Sequence, residues 1–405
     1  MRNKISKWLA IIFVVAIIGV MAGTLAVYGR SYAYGFFKSY PDYLPKDRTP
    51  DVFDNISARI QKLDYNANKR IVGLDFLRHM SARTQMIPPK QLVDVSTEMT
   101  RLSTGGWINV VADAFSPEKV RDTIDFVKLA GEWYRIPTVV IYCHPALYDG
   151  SAQPGDVDVY NQCIPYADRL VEMLRQEGIS VWDSRDTYSG HSISLDIAAN
   201  KSDVHWTHLM ALYTARDGAK YISEQTGFEL DWQKLEPDLF ERKVYKNLLF
   251  GEFARRLGRS MVTLDDVYVL YPGYDTFLTY ERADSEGTSY REGSFYDTVI
   301  EQDKLVPEEG KDYSERAYYV YGSNLARVHT HNEDAPDTTV LVFKDSFGQP
   351  VSMFLSLAAR DVYSIDMRSV DHNMEYYVDM VQPDIIILAY CQQSFRNIEV
   401  EIEGN

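Results

Sequence analysis

Val340-Leu341-Val342-Phe343-Lys344-Asp345-Ser346-Phe347-Gly348 is the stretch from which the fold can be read. Four consecutive apolar residues, two of them β-branched, suit a strand buried on both faces, as in a parallel sheet, better than one with an alternating wet face. The run stops at a polar cluster, and a helix is predicted after Pro350. In open α/β sheets the carboxyl ends of the strands are where ligands bind, so Ser346 is placed to face a crevice with helix N-terminal amides nearby. Asp345 and Ser346 are also ordinary helix-capping residues, and taken alone they carry no chemistry.

The same rhythm continues on both sides. Downstream, Val362-Tyr363-Ser364-Ile365 and Ile385-Ile386-Ile387-Leu388 read as strands. Upstream, Ser116-Pro117-Glu118 reads as an N-cap with proline at the first helical position, and Val120, Ile124, Val127 and Tyr134 share one helical face to about Arg135. The run Thr138 to Cys143 is the next buried strand, followed by a helix over about Tyr166–Gln176, a stop at Gly178 and a short strand Ile179–Trp182. Strands alternating with helices define an α/β class: a mostly parallel sheet with helices on both faces. Between the two blocks, Leu230 to Asn332 is dense in Tyr, Gly and charge without sustained periodicity, and reads as an insertion at about 230–332.

A chain of 405 residues with 45% hydrophobic content can bury a substantial core. Its net charge of -16 and its lack of a basic block exclude nucleic acid as the expected partner, since phosphate binding needs a basic footprint. Arg2, Lys4 and Lys7 precede an uncharged run from Trp8 to Tyr28, long enough to cross a hydrocarbon core of about 30 Å. The run exceeds a signal-peptide core of about 7–15 residues, and Ser31-Tyr32-Ala33 lies beyond Arg30, so an uncleaved anchor is expected with everything after Arg30 outside the cell membrane. The expected division is 1–30 anchor, 31–115 tether and 116–405 α/β domain. Cys143, Cys163 and Cys391 have no metal-ligand spacing and read as buried free thiols.

The second chemical cluster is Ser202-Asp203-Val204-His205-Trp206-Thr207-His208, just ahead of a helix from about Leu209 to Ser223. If the Asp203-Val204-His205 step is extended, carboxylate and imidazole project to one side while Val204 faces away. A serine needs a base to take its proton, and a carboxylate fixes that base's tautomer. Ser346, His205 and Asp203 are therefore the candidate nucleophile, base and orienter. Trp206 is placed to exclude water or stack on a sugar. Asp203, His205 and His208 are also the residue types of a metal site, so that alternative stays open, although no metal or other cofactor is needed for the first reading.

Asp203-Val204-His205-Trp206-Thr207, together with Lys344-Asp345-Ser346-Phe347 and Ile365-Asp366-Met367-Arg368, resembles the blocks of the bacterial DHHW-motif family. The intermediate features fit as well: the strand ending near His144-Pro145, Val181-Trp182-Asp183, Phe250-Gly251, and Tyr319 to Gly322. That family is similar to the alginate O-acetylation proteins, whose catalytic domains are SGNH-hydrolase-like with the serine block after the Asp-x-His block. The resemblance implies O-acetyl transfer or O-acetyl ester hydrolysis on an extracellular polysaccharide through an acyl-Ser346 intermediate, with a membrane-bound O-acyltransferase as partner. Two departures stand out. Val204 occupies the position of the motif's first histidine, and the glycine and asparagine of an ordinary SGNH oxyanion hole are missing after the second and third strands. Arg368, Gln392 and Gln393 are the candidate replacement donors, and Lys344 is a further candidate for substrate binding. A non-catalytic polysaccharide-binding or scaffolding subunit is the competing class of function.

Overall fold

The computed structural model describes residues 2–38, 116–145, 163–259, 262–284, 287–322, 327–370 and 372–396, the short stretches 92–96, 99–102 and 107–109, and Ile56, Arg59, Ile60 and Ile71. Apart from those pieces, the expected tether lies outside the described residues, as does the side chain of Cys163. The chain forms two units, Met1–Ser81 and Ala82–Asn405.

In the first unit one helix runs from Arg2 to Lys38. Its segment Val15–Tyr34 is long and apolar enough, by length and composition, to be a membrane span or a signal sequence. The helix continues past Arg30, because Ser31 to Lys38 contains neither proline nor a C-terminal glycine stop, and Gly35 alone does not end it.

The second unit is built on an eight-stranded sheet. Its strands, in chain order, are β4 (Thr138–Tyr142), β5 (Ser180–Asp183), β8 (Leu278–Asp284), β9 (Gly287–Gly293), β10 (Arg327–His331), β11 (Thr339–Lys344), β12 (Asp361–Ile365) and β13 (Ile385–Tyr390). The spatial order is β5-β4-β13-β11-β12-β10-β8-β9. The first five strands are mutually parallel, and the last three extend the sheet by antiparallel pairing from β12 outward. A hairpin of β6 (Phe240–Leu249) and β7 (Asp265–Pro272), and a small antiparallel sheet of β1 (Leu92–Ser96), β2 (Met99–Leu102) and β3 (Trp107–Asn109), complete the strands described.

The continuous apolar runs are explained by two cores, one on each face. Val139, Ile141, Val340, Val342, Ile385 and Ile387 pack with helices His208–Thr226 and Gly348–Leu355, whereas Val140, Tyr142, Leu341, Phe343, Ile386 and Leu388 pack with helices Glu118–Leu129, Cys163–Gln176 and Met374–Val381. Period-2 alternation thus sends each strand's odd and even residues into different cores. At about 25 cal/mol per Å² of apolar surface, every one of these side chains stabilises the sheet on either side.

Local differences from the sequence reading have identifiable causes. The N-cap position of the helix at 118 is Pro117, and Ser116 makes no capping bond to the backbone; its hydroxyl instead meets the Glu118 carboxylate at 3.3 Å. That helix ends in a π-turn, Ala130–Tyr134, closed by Arg135 in the left-handed region at φ 56°. The helix expected after Pro350 starts earlier, at Gly348.

Candidate active site

The carboxyl ends of the parallel strands converge on one edge, as this class of sheet requires. From β11 the chain turns sharply through Asp345-Ser346-Phe347 into helix Gly348–Leu355, all of whose residues are buried. Asp345 fastens that turn. Its Oδ1 accepts the amides of Phe347 at 2.8 Å and Gly348 at 3.1 Å, and its Oδ2 accepts the Cys391 amide at 2.8 Å and the Ser394 hydroxyl at 2.7 Å. Four donors on one buried carboxylate tie the serine turn to the end of β13. Gly348 permits the approach, since a Cβ there would lie 2.2 Å from the Ala389 carbonyl oxygen.

Asp203 and His205 come from the other side, on a bend ahead of helix His208–Thr226. The step is bent, not extended as the sequence suggests. Asp203 Oδ1 accepts the His205 amide at 3.0 Å and also faces the ring Nδ1, so a local carboxylate turn, not strand alternation, joins the two side chains. The bend is held from below. Asp265 at the start of β7 accepts the Lys201 and Ser202 amides at 2.8 and 2.6 Å, and Asn200 Nδ2 donates to the His205 and Trp206 carbonyls. The Glu252 amide donates to Asp203 Oδ2 at 2.8 Å. Gly251 is required beside it, because a Cβ would stand 2.3 Å from the Asp203 Cβ.

Across the crevice, His205 Nε2 lies 2.8 Å from Ser346 Oγ. Burial pushes the Asp203 carboxyl upward, but the charge and hydrogen bonds of His205, with the Glu252 amide, hold it at about 2. Asp203 is therefore ionised at neutral pH. Three residues from sequence positions 203, 205 and 346 form one hydrogen-bonded line.

The remaining candidates divide. Trp206 is completely buried and stands edge-on to Phe347 at 5.9 Å, so it is a wall under the site and offers no face to a sugar. Lys344 is buried as well, its ammonium 3.7 Å from Asp366, and burial lowers its pKa to about 8 despite that partner. Lys344 ends β11 beside Asp366, the residue that follows β12, and its burial leaves it little surface to offer a substrate. Arg368 is half exposed; its Nε and Nη2 hold Asp366 at 2.8 and 2.6 Å, leaving Nη1 without a partner among the described residues. Gln392 is buried with its Oε1 accepting from the Tyr142 hydroxyl at 3.1 Å, whereas Gln393 is half-buried. The Ser346 amide has no acceptor among the described residues.

His208 points away from Ser346. Its Nε2 is 2.8 Å from the Tyr318 carbonyl and its Nδ1 3.3 Å from that of Tyr268, and burial lowers its pKa to about 4. Each ring nitrogen faces a backbone carbonyl, of which the neutral imidazole can donate to only one, the closer contact being Nε2 to Tyr318. The described residues contain no group of three or more potential ligands arranged for a metal ion. Cys143 and Cys391 are buried free thiols at the ends of β4 and β13.

Tyr318 went unmarked in the sequence. Its ring stacks on His205 at 4.0 Å and 18°, its hydroxyl donates to the Ser346 carbonyl at 3.3 Å, and Phe347 closes on the imidazole from 4.7 Å. Tyr318 precedes the Tyr319–Gly322 block, whose aromatic density is the only signal that could have found it.

No protein-family model matches this sequence, and no curated protein matches it. Solved structures do share the fold: a mixed, mostly parallel sheet with helices on both sides. One is a DHHW family protein from Eubacterium siraeum, 14% identical, with a TM-score of 0.57 over 75% of this chain and 93% of that one. Another is Bacillus cereus PatB1 carrying a sulfonyl adduct, 12% identical, with a TM-score of 0.56 over 73% of this chain and 94% of that one. PatB1 without the adduct gives 14% identity and a TM-score of 0.55 over 72% and 95%. At such identities the likeness is one of fold.

Proposed function

We propose that this chain is a cell-surface enzyme that moves or removes O-acetyl groups on an extracellular polysaccharide through an acyl-Ser346 intermediate. The observation that carries the reading is the line Asp203–His205–Ser346, with 2.8 Å between His205 Nε2 and Ser346 Oγ. His205 takes the Ser346 proton as the hydroxyl oxygen attacks the acyl carbonyl, and Asp203 steadies the imidazolium that forms. Collapse of the tetrahedral intermediate expels the donor's alkoxide, which leaves with the proton from His205. The acyl-serine is then discharged by a sugar hydroxyl, giving transfer, or by water, giving hydrolysis, with His205 again the base.

The developing oxyanion needs donors. The Ser346 amide, Arg368 Nη1 and the Gln393 amide are the available candidates, in place of the glycine and asparagine of ordinary SGNH enzymes. The acetyl group and the polysaccharide come from the resemblance to the DHHW-motif family, and the fold shared with a DHHW family protein is in keeping with that resemblance. The apolar helix supports anchoring at the membrane; residues 31–115 as tether and 116–405 as the catalytic part come from the sequence pattern, and a membrane-bound O-acyltransferase as the supplier of acyl groups comes from the family resemblance.

A non-catalytic, polysaccharide-binding role is the second reading, favoured by the missing glycine and asparagine. Incubating the full chain and its Ser346→Ala variant with a generic acetyl ester separates the two. Acetate release by the wild type and its loss in the variant support the enzyme; equal background rates support the scaffold.

A further inference from the structure

A groove of about 490 Å³ opens between the β6–β7 hairpin and the short helix Phe295–Thr298. Three tyrosines line it. Tyr271 and Tyr296 meet edge to face at 5.0 Å and 69°, and Tyr274 is pinned by its hydroxyl, which donates to the Lys234 carbonyl at 2.9 Å. The rings are half-buried, so each is fixed yet keeps a surface to offer. Exposed Asp275 and Asp297 stand on the groove walls, and Lys243 crosses it with its ammonium 5.9 Å over the Tyr296 ring.

Fixed aromatic faces beside hydrogen-bond acceptors fit a sugar chain, whose C–H faces stack on the rings while its hydroxyls donate to carboxylates. The charge narrows the class. Two wall carboxylates against one lysine, on a chain of net charge -16, repel a polyuronate and accept a neutral or amino-bearing glycan. Strand β7 links the groove to the candidate active site: Asp265 at one end holds the Asp203 loop, and Tyr271 near the other end lies about 20 Å along at ~3.3 Å per residue.

We propose that the Tyr271–Tyr274–Tyr296 groove is a secondary docking site for a neutral or amino-sugar polysaccharide, one strand length from the Asp203 loop. It rests on the polysaccharide reading above and adds where the polymer is held and of what charge class it is. A polymer docked there is retained while a nearby stretch visits Ser346, which raises the local acceptor concentration.

The test uses the full chain in detergent micelles and three probes: a β-linked gluco-oligosaccharide, a chitosan oligosaccharide and an oligouronate. Calorimetric titration is expected to show binding of at least one of the first two and none of the oligouronate. Tyr296→Ala is expected to weaken that binding by about tenfold, the equivalent of about 1.4 kcal/mol, a typical contribution for one aromatic contact. Asp275→Lys, at an exposed position that cannot unseat the core, is expected to weaken the chitosan oligosaccharide similarly. Both variants should turn over a small acetyl ester at the wild-type rate, and Ser346→Ala should bind the oligosaccharide unchanged. Tighter oligouronate binding, wild-type affinity in both groove variants, or no oligosaccharide binding at all would overturn the proposal. Binding by a protein that turns over no acetyl ester would instead leave the docking site standing and remove the acyl chemistry.

Discussion

The phenol ring of Tyr318 lies parallel to the imidazole of His205, 4.0 Å away, while its hydroxyl reaches the carbonyl of Ser346. One buried side chain thus touches both partners of the His205–Ser346 hydrogen bond. It acts as a positioning residue: the stack fixes the plane in which Nε2 meets Oγ. Tyr318→Phe keeps the stack and loses only the hydroxyl bond, so acetyl-ester turnover should stay within about threefold of wild type, whereas Tyr318→Leu should lower kcat by about 10²-fold with KM little changed, the scale expected of a misplaced base. Steady-state kinetics on both variants checks this; equal losses in Phe and Leu would place the effect on the hydroxyl bond to Ser346 and contradict the role given to the stack.

Gly251 sets the position of Asp203. A Cβ would fall 2.3 Å from the Asp203 Cβ and 2.6 Å from the Ser202 carbonyl oxygen, and neither is the free end of a flexible side chain. Gly251→Ala should therefore cost about 1–3 kcal/mol of stability by overpacking and lower ester turnover as Asp203→Asn does. A chemical-denaturation curve and the two variants' rates test it; a Gly251→Ala protein of wild-type activity would contradict the tight packing of this corner.

Much of this arrangement was legible in the sequence, and the limits are physical. The parallel strands announced themselves because both faces are buried, giving unbroken apolar runs such as Ile385–Leu388. The β6–β7 hairpin was hidden because β6 is mostly exposed, so Glu241-Arg242-Lys243 reads as a charged loop, and the antiparallel strands of the main sheet were hidden because β10 only alternates buried with half-buried residues and β9 has no buried residue. Ser346, His205 and Asp203 were found through polar clusters next to buried elements. Their supports were not, since Tyr318, Glu252 and Asp265 arrive from segments far along the chain with no periodic signal. Trp206 was legible as an aromatic beside the site, but nothing local reveals that it faces inward.

His208 gives a pH signature. Burial holds its pKa at about 4 in the folded chain against 6.5 when unfolded, so between these values the unfolded state binds more protons and stability falls as pH falls. The loss begins near pH 6.5 and is complete below about 4, at about 1.4 kcal/mol per pH unit for this one group. His144, lowered to about 3 by burial and by Arg185, adds in the same direction. In His208→Gln, the slope of unfolding free energy between pH 6 and pH 4.5, reachable by denaturant titration, should flatten by about 1.4 kcal/mol per unit. An unchanged slope would mean that His208 is not buried neutral.

The most direct test of the account is to find the atom that carries the covalent intermediate. The full chain would be treated with a sulfonyl fluoride, and separately quenched during turnover of an acetyl ester, then digested and mapped by mass spectrometry. One modified residue, Ser346, is expected under both treatments, and no adduct in His205→Ala, because an unassisted serine hydroxyl is a weak nucleophile. Modification of any other residue, or equal labelling of Ser346 with and without His205, would contradict it.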